Sequence, residues 1–306
     1  MRPAVWIPEG APAVERERLA AIADVRLFPP AGPIPEIAGP GDMLLAAEDA
    51  RRALEYAGHI DGLRVIQAFS AGVDNIIEHV PPGVTLCDAA GVHDIPVAEW
   101  VVLAILASQR RFAEHLETQL AGRWGHERRT GIDLDGATVV LLGAGSIGAA
   151  VEARLVPFGS RIVRVARRAR PDAHVMADLP AILPTVDIVV ILLPLTPETR
   201  GVVDATFLAA MPAGALLVNA SRGAVVDTPA LTAEVVSGRL RAALDVTDPE
   251  PLPEGHPLWA APGVIVTPHV ASDVRLMDER AWRLALEQVG RYARGEPLIN
   301  VVSTGY

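Results

Sequence analysis

The sequence predicts an α/β protein built from two doubly wound, parallel-sheet domains. Three observations carry this. Short apolar runs of strand length alternate along the whole chain with longer stretches of helical periodicity. The chain has 306 residues, of which 50% are hydrophobic, which is more than one ordinary core accommodates. A polar, arginine-rich segment at 122–131 separates two such alternating series and reads as an exposed connection.

In the first series, strands are expected at 5–8, 25–28, 43–47, 64–69 and 84–88, where apolar residues run together between turn formers. Helices fit 13–23 and 51–60, and one long amphipathic helix is expected from Ile95 to Leu120. The proline-rich stretch 29–40 reads as a surface loop. The second series opens with a strand at 137–142. It continues with strands at 161–166, 187–192, 215–219, 242–246 and 264–267. Helices fit 147–158, 204–210, 229–237 and 273–294.

Composition removes several function classes. The net charge of −10 is the wrong sign for nucleic acid or anionic membranes, so neither is expected as a partner. All 27 basic residues are arginine. Without lysine there is neither an internal Schiff base to pyridoxal phosphate nor a Walker-A lysine. The single cysteine, Cys87, excludes an internal disulfide and a cysteine-rich zinc site, and no metal is expected. Cys87 lies in an apolar run and reads as a buried thiol. The longest apolar stretches are interrupted or too short to span a bilayer. The N-terminus enters a strand-like segment without a signal-peptide core, so a cytoplasmic location is expected.

Chemistry enters at Gly143-Ala144-Gly145-Ser146-Ile147-Gly148, a G-x-G-x-x-G placed after a strand and opening an apolar helix. That is the context in which the pattern binds a dinucleotide. The first glycine permits a tight turn, the second lets backbone N–H groups approach the pyrophosphate, and the third lets helix and strand pack closely. About 20 residues on, such folds place an acid that accepts from the ribose 2′-hydroxyl. Here Ala166 stands at that place, followed by Arg167 and Arg168. A carboxylate would repel a 2′-phosphate and guanidinium groups would bind it, so NADP(H) is the expected cofactor and NAD(H) the alternative. The competing reading of these arginines is a solvated strand end.

Three further segments each lie at the C-terminal end of an expected strand: Asn219-Ala220-Ser221-Arg222-Gly223, Asp248-Pro249-Glu250-Pro251 and Thr267-Pro268-His269. Ligands of open α/β sheets bind at such ends, so the three could converge on one crevice. Their chemistry is complementary. Histidine suits proton donation to a carbonyl oxygen at neutral pH, a carboxylate favours and orients its protonated form, and arginine binds a carboxylate and polarises a carbonyl. Asp248 and Glu254 are alternative acids beside Glu250. Asp227, before Thr228-Pro229, reads as a helix-start residue. Asp74 and Asn75 could merely shape a turn. His93, His126 and His256 read as structural or surface residues.

Together these motifs resemble the D-isomer-specific 2-hydroxyacid dehydrogenases. The resemblance also rests on Ser70-Ala71-Gly72-Val73-Asp74-Asn75, Val97-Ala98-Glu99, the run from Leu193 through Pro194 to Thr199, the stretch from Asn219 to Asp227 and that from Asp245 to Pro251. It implies a catalytic set of Arg222, Glu250 and His269, with the glutamate directly before proline. Backbone amides at Ala71, Gly72 and Val73 would bind the substrate carboxylate, with Arg222 and His269. Cofactor contacts would come from the glycine loop (Gly143, Gly145, Ser146, Ile147, Gly148), Arg167, Arg168, Leu193, Pro194, Thr199, Ala220, Arg222, Asp245 and His269. Asp245 would lie at the nicotinamide end, the alternative being a strand-end cap.

The implied architecture is a flavodoxin-like substrate domain, 1–96 and 273–306, with a Rossmann cofactor domain, 97–272, inserted in it. Closure of the two would exclude water from hydride transfer. Members of the family are usually homodimers that pair through their cofactor domains. In this sequence only the long apolar helix from Ile95 points the same way. The substrate would be a small 2-keto acid, or the D-2-hydroxy acid in reverse.

Departures within the family narrow the choice. Formate-oxidising relatives carry glutamine at the Glu250 position, and phosphite-oxidising relatives carry lysine where Ala71 stands. The chain ends soon after the helix 273–294, so the regulatory domain of some phosphoglycerate dehydrogenases is not expected. The missing acid with Arg167-Arg168 resembles the NADPH-dependent glyoxylate/hydroxypyruvate reductases. The main alternative inside the family is an NAD-dependent D-3-phosphoglycerate dehydrogenase. From a different class, some relatives are dinucleotide-sensing transcriptional corepressors.

Overall fold

The computed structural model describes residues 2–47, 50–124 and 130–302. The chain divides into two compact units, one formed by Met1–His93 with Val274–Tyr306, the other by Asp94–Asp273. The boundaries expected from the sequence, 96/97 and 272/273, lie within a few residues of these. Among the described residues, no helix is long and apolar enough to cross a membrane.

The first unit runs β1 (Ala4–Pro8), α1 (Ala13–Ile22), β2 (Asp24–Phe28), β3 (Gly39–Pro40), β4 (Met43–Ala46), α2 (Ala50–Ala57), β5 (Ile60–Asp61), β6 (Val65–Ala68) and β7 (Thr85–Cys87). Five strands form one sheet in the order β2-β1-β4-β6-β7, and every pairing is parallel. Counting only these five, the order is the flavodoxin-like 2-1-3-4-5. The central strands are buried on both faces, as a doubly covered parallel sheet requires. Val5, Ile7, Met43, Leu45 and Val65 face α1 and the terminal helix Met277–Arg294, whereas Trp6, Leu44 and Ile66 face α2. The terminal helix buries Ala281, Trp282, Ala285, Gln288 and Val289, one face at helical spacing, and ends at Gly295 with φ +68°. It begins four residues later than the expected 273, because Val274–Leu276 are taken up in a turn closed by Met277 N–H to Val274 O. β3 and β5 form a separate two-stranded ladder and were not foreseen.

The second unit runs α3 (Asp94–Gln109), α4 (Phe112–Leu120), β8 (Thr138–Leu142), α5 (Ser146–Leu155), β9 (Arg161–Ala166), β10 (His174–Val175), α6 (Leu179–Ile182), β11 (Ile188–Ile191), α7 (Ala205–Ala210), β12 (Leu216–Asn219), α8 (Thr228–Val236), β13 (Arg241–Leu244) and β14 (Val264–Val266). Its seven strands are all parallel, in the order β10-β9-β8-β11-β12-β13-β14. Within the unit this is 3-2-1-4-5-6-7, the doubly wound dinucleotide-binding order extended by one strand. Val139, Leu141, Ile188 and Val190 pack under α3 and α5, while Val140, Leu142, Val189 and Ile191 pack against α7 and α8. The single helix expected over 95–120 is in fact two. Arg111 adopts a left-handed conformation at φ 55°, and the Gln109 carbonyl accepts from Ile132 N–H rather than continuing the helix.

Candidate active site

The order of the second sheet puts its switch point between β8 and β11, where chains leaving the carboxyl ends of the strands diverge. The glycine loop follows β8. Gly143 has φ +111°, and a Cβ there would come within 2.6 Å of the Leu192 carbonyl oxygen. At Gly148, on α5, a Cβ would lie 2.4 Å from the Gly143 carbonyl oxygen. Gly145 is different: a Cβ there meets nothing within 4 Å. Two glycines therefore pack the loop onto its neighbours, and the middle one opens onto free space at the N-terminus of a ten-residue helix. That is the shape and the field a pyrophosphate fits. Ser146 opens the helix and donates from its hydroxyl to Asp94 Oδ1 at 3.0 Å, while Ile147 packs into the core under α3.

The segment after β11 is held beside this loop by Leu192 N–H donating to Leu142 O at 2.7 Å. Leu193 is buried, and Thr199 Oγ1 donates to Pro194 O at 2.6 Å to close a turn. Thr196 hydrogen-bonds the Glu198 carboxyl, which with Glu198's own backbone holds it below the usual carboxylate range; the nearby Arg167 guanidinium adds to this.

Arg167 and Arg168 follow β9 and are exposed, with Ala166 half-buried before them. Two neighbouring arginines are engaged differently. Arg164 pairs with Glu152 through two nitrogens. Arg170 donates to Ala144 O at 2.9 Å and lies 3.3 Å from Asp172. Arg170 therefore touches the glycine loop itself. It belongs to the same arginine run as Arg167 and Arg168 but is not among the expected cofactor contacts.

The three downstream segments each leave the carboxyl end of a strand, β12, β13 or β14. His269 Nδ1 lies 2.7 Å from Glu250 Oε1, and both side chains are about half exposed. The His269 backbone sits at φ 56°, a left-handed conformation costly for a residue with a Cβ. Asp245 holds it there. The buried carboxylate accepts from Thr267 Oγ1 at 2.6 Å, Val270 N–H at 2.9 Å and Ala271 N–H at 2.9 Å. The Asp245 carbonyl accepts from His269 N–H at 2.7 Å. Glu250 stands between Pro249 and Pro251 in the loop after β13, and Thr247 Oγ1 donates to Pro249 O at 2.9 Å.

Arg222 sits in a turn built by the buried Asn219. The Asn219 side chain donates to Arg222 O at 2.9 Å and accepts from Ser221 N–H at 3.1 Å and Ser221 Oγ at 2.9 Å. Ala220 lies in this same turn. Gly223 presses against the next loop: a Cβ there would be 1.9 Å from Thr247 O. The Arg222 turn and the Glu250 loop are thus in backbone contact, so the structure gathers the predicted trio at one end of one sheet. The roles of Asn219 and Gly223 were not foreseen, although the glycine directly after Arg222 was a readable signal of close approach. For Asp245 the hydrogen bonds match the strand-end cap that is its alternative reading.

Residues Ala71, Gly72 and Val73 belong to the first unit and follow β6. Val73 is buried and its carbonyl accepts from Ile76 and Ile77 N–H, so Asp74 and Asn75 do lie in a turn. Asp227 caps α8, accepting from Ala230 N–H at 2.9 Å. His256 Nδ1 accepts from Leu258 N–H at 3.3 Å in a short turn. His126 lies outside the described residues.

Residues 102–271 match the family model described as D-isomer specific 2-hydroxyacid dehydrogenase, NAD binding domain. The chain belongs to this family. As a 2-hydroxyacid dehydrogenase it is an NAD(P)-dependent oxidoreductase. It is 32% identical to the human glyoxylate reductase/hydroxypyruvate reductase over 96% of each chain. It is 36% identical to a glyoxylate reductase of Thermofilum pendens over 83% of this chain and 79% of that one. Among solved structures it is similar to an NADPH-dependent glyoxylate/hydroxypyruvate reductase of Sinorhizobium meliloti in complex with NADP and sulfate. That likeness has a TM-score of 0.82 and 26% identity, over 99% of this chain and 98% of the other.

Proposed function

We propose that this 2-hydroxyacid dehydrogenase reduces glyoxylate, hydroxypyruvate or a similarly small 2-keto acid with NADPH. The observation that carries the reading is the 2.7 Å His269–Glu250 pair beside the Arg222 turn. With Nδ1 facing the carboxylate, His269 presents Nε2 as the proton donor to the carbonyl oxygen. Glu250 stabilises the protonated imidazole and fixes its plane. Arg222 binds and orients the substrate, and its charge favours the developing oxyanion. The backbone amides of Ala71, Gly72 and Val73 take the substrate carboxylate. When bound, the reduced nicotinamide supplies the hydride to the carbonyl carbon.

Preference for NADPH is supported by the missing acid after β9 and by Arg167 and Arg168, to which Arg170 adds a third cation at the glycine loop. The similar Sinorhizobium meliloti enzyme, NADPH-dependent and in complex with NADP, points the same way. Asp245, Leu193, Pro194, Thr199 and Ala220 complete the cofactor contacts in this reading. A cytoplasmic homodimer goes with it, and exposed Leu103, Phe112, Leu116 and Leu120 on α3 and α4 support self-association. Light scattering reads the mass directly.

The test is a panel of 2-keto acids, including 3-phosphohydroxypyruvate, assayed with NADPH and NADH. The proposal expects the highest kcat/KM for glyoxylate or hydroxypyruvate with NADPH. A higher kcat/KM with NADH would overturn the cofactor assignment. Failure of every keto acid would overturn the reaction.

A further inference from the structure

The first unit contains a buried amide pair that the proposed reaction does not use. Gln67, on β6, is 1% exposed and Gln288, on the terminal helix, is 0% exposed. Gln288 Nε2 donates to Gln67 Oε1 at 2.9 Å and to Ile299 O at 2.7 Å. Gln288 Oε1 accepts from Ile299 N–H at 3.1 Å. Gln67 Nε2 donates to Ala68 O and to Asp88 O, each at 2.8 Å. Both side-chain oxygens and both amide nitrogens thus have partners. Two uncharged amides this deep are costly unless every partner is present, so the arrangement holds as a unit or not at all.

What the pair joins is informative. On one side is the chain after the terminal helix, where Gln288 binds both the N–H and the C=O of Ile299. On the other are the ends of β6 and β7, and the next links lead to the Ala71–Val73 segment. Ala89 N–H, one residue beyond Asp88, donates to Ser70 O at 3.0 Å. Asn300 Nδ2 donates to Ala90 O at 2.9 Å, and Val302 N–H to Leu86 O at 2.9 Å. Ser70 is followed directly by Ala71, and Gln67 lies three residues before it. The hydrogen bonds therefore run without a break from Ile299 through the amide pair to Ser70.

We propose that Gln67 and Gln288 are positioning residues that fix the Ala71–Val73 backbone for binding a substrate carboxylate. The inference rests on the proposed use of those amides. Neither side chain touches substrate; the pair acts through the loop.

The test compares wild type with Gln67→Met, Gln288→Met and the double variant, methionine being close to glutamine in shape but unable to make these bonds. Three readouts are taken: hydrogen exchange at Ala89, Ile76 and Ile77, whose N–H groups tie the loop; KM for glyoxylate and Ki for oxamate, a carboxylate analogue; and kcat with the NADPH dissociation constant. Exchange at the three amides should rise about tenfold, with Met43–Ala46 unchanged. KM and Ki should rise together by about tenfold, while kcat and NADPH binding stay within about twofold. The double variant should match either single one, because the pair acts as a unit. If Gln67→Met does not fold, Gln288→Asn draws the same amide back by one methylene and gives the same readouts.

A lowered melting temperature with unchanged loop exchange overturns the positioning role. Faster loop exchange with unchanged KM and Ki overturns the link to carboxylate binding. Faster loop exchange in a protein whose wild type reduces no keto acid sustains the positioning of the loop and sinks the substrate assignment instead.

Discussion

Replacing Asp245 by asparagine tests how His269 is held. The buried carboxylate receives three donors, from Thr267 Oγ1, Val270 N–H and Ala271 N–H, at 2.6 to 2.9 Å. Asparagine has the same shape but only one acceptor atom. In either orientation its NH2 faces at least one of these donors across hydrogen-bond distance. A hydrogen bond to a charged acceptor contributes about 1.5–3 kcal/mol, and an unsatisfied buried donor costs about 1–3 kcal/mol. The variant should therefore lose about 2–4 kcal/mol. At about 2–4 °C per kcal/mol for a unit of this size, melting should fall by roughly 5–15 °C. His269, no longer forced to φ 56°, should lose its alignment with Glu250, and kcat should fall by about ten- to a hundredfold. Thermal unfolding of the cofactor-free protein and steady-state turnover read the two effects separately. Melting within about 2 °C of wild type with full turnover would refute the holding role.

Gly223→Ala would place a Cβ 1.9 Å from Thr247 O, forcing the Arg222 turn and the Glu250 loop apart. Turnover should fall by about a hundredfold or more and melting should drop, and a normal kcat would contradict that contact. The double variant Arg167→Ala/Arg168→Ala should raise KM for NADPH by about tenfold or more while leaving KM for NADH near its original value. Equal losses with both cofactors would remove the 2′-phosphate assignment. Burial, with the Asp88 charge adding, pushes the Cys87 thiol from 9.0 up to about 11. Native protein should therefore resist iodoacetamide at pH 8 and react on unfolding; labelling at the free-thiol rate would refute this. Because the folded value is the raised one, this thiol's contribution to stability is intact below pH 9 and declines as pH rises through about 11.

Much of this was legible in the sequence because it is local. Apart from the two-residue β10, which was not foreseen, the strands of both sheets announce themselves as apolar runs, and the glycine loop is contiguous, with spacing that implies its neighbours. Boundaries were less legible where tertiary contacts decide them. The break at Arg111 depends on Ile132 reaching the Gln109 carbonyl, across residues that periodicity cannot connect. The ladder of β3 with β5 involves two residues per strand, too few to leave a pattern. In the site, Arg222, Glu250 and His269 were readable as types in context. Asn219, Asp245 and Gly223 act by holding other loops, and their partners are found only once β12, β13 and β14 lie side by side. The buried Gln67–Gln288 pair joins residues 221 positions apart and left no sequence signal.

The central claim is that His269, oriented by Glu250, delivers the proton during reduction of a small 2-keto acid. The most direct measurement is kcat of His269→Ala with glyoxylate and NADPH, alongside its dissociation constant for NADPH. The account predicts a fall in kcat of about a hundred- to ten-thousandfold with NADPH binding within about threefold of wild type. Near-normal turnover in that variant would contradict it.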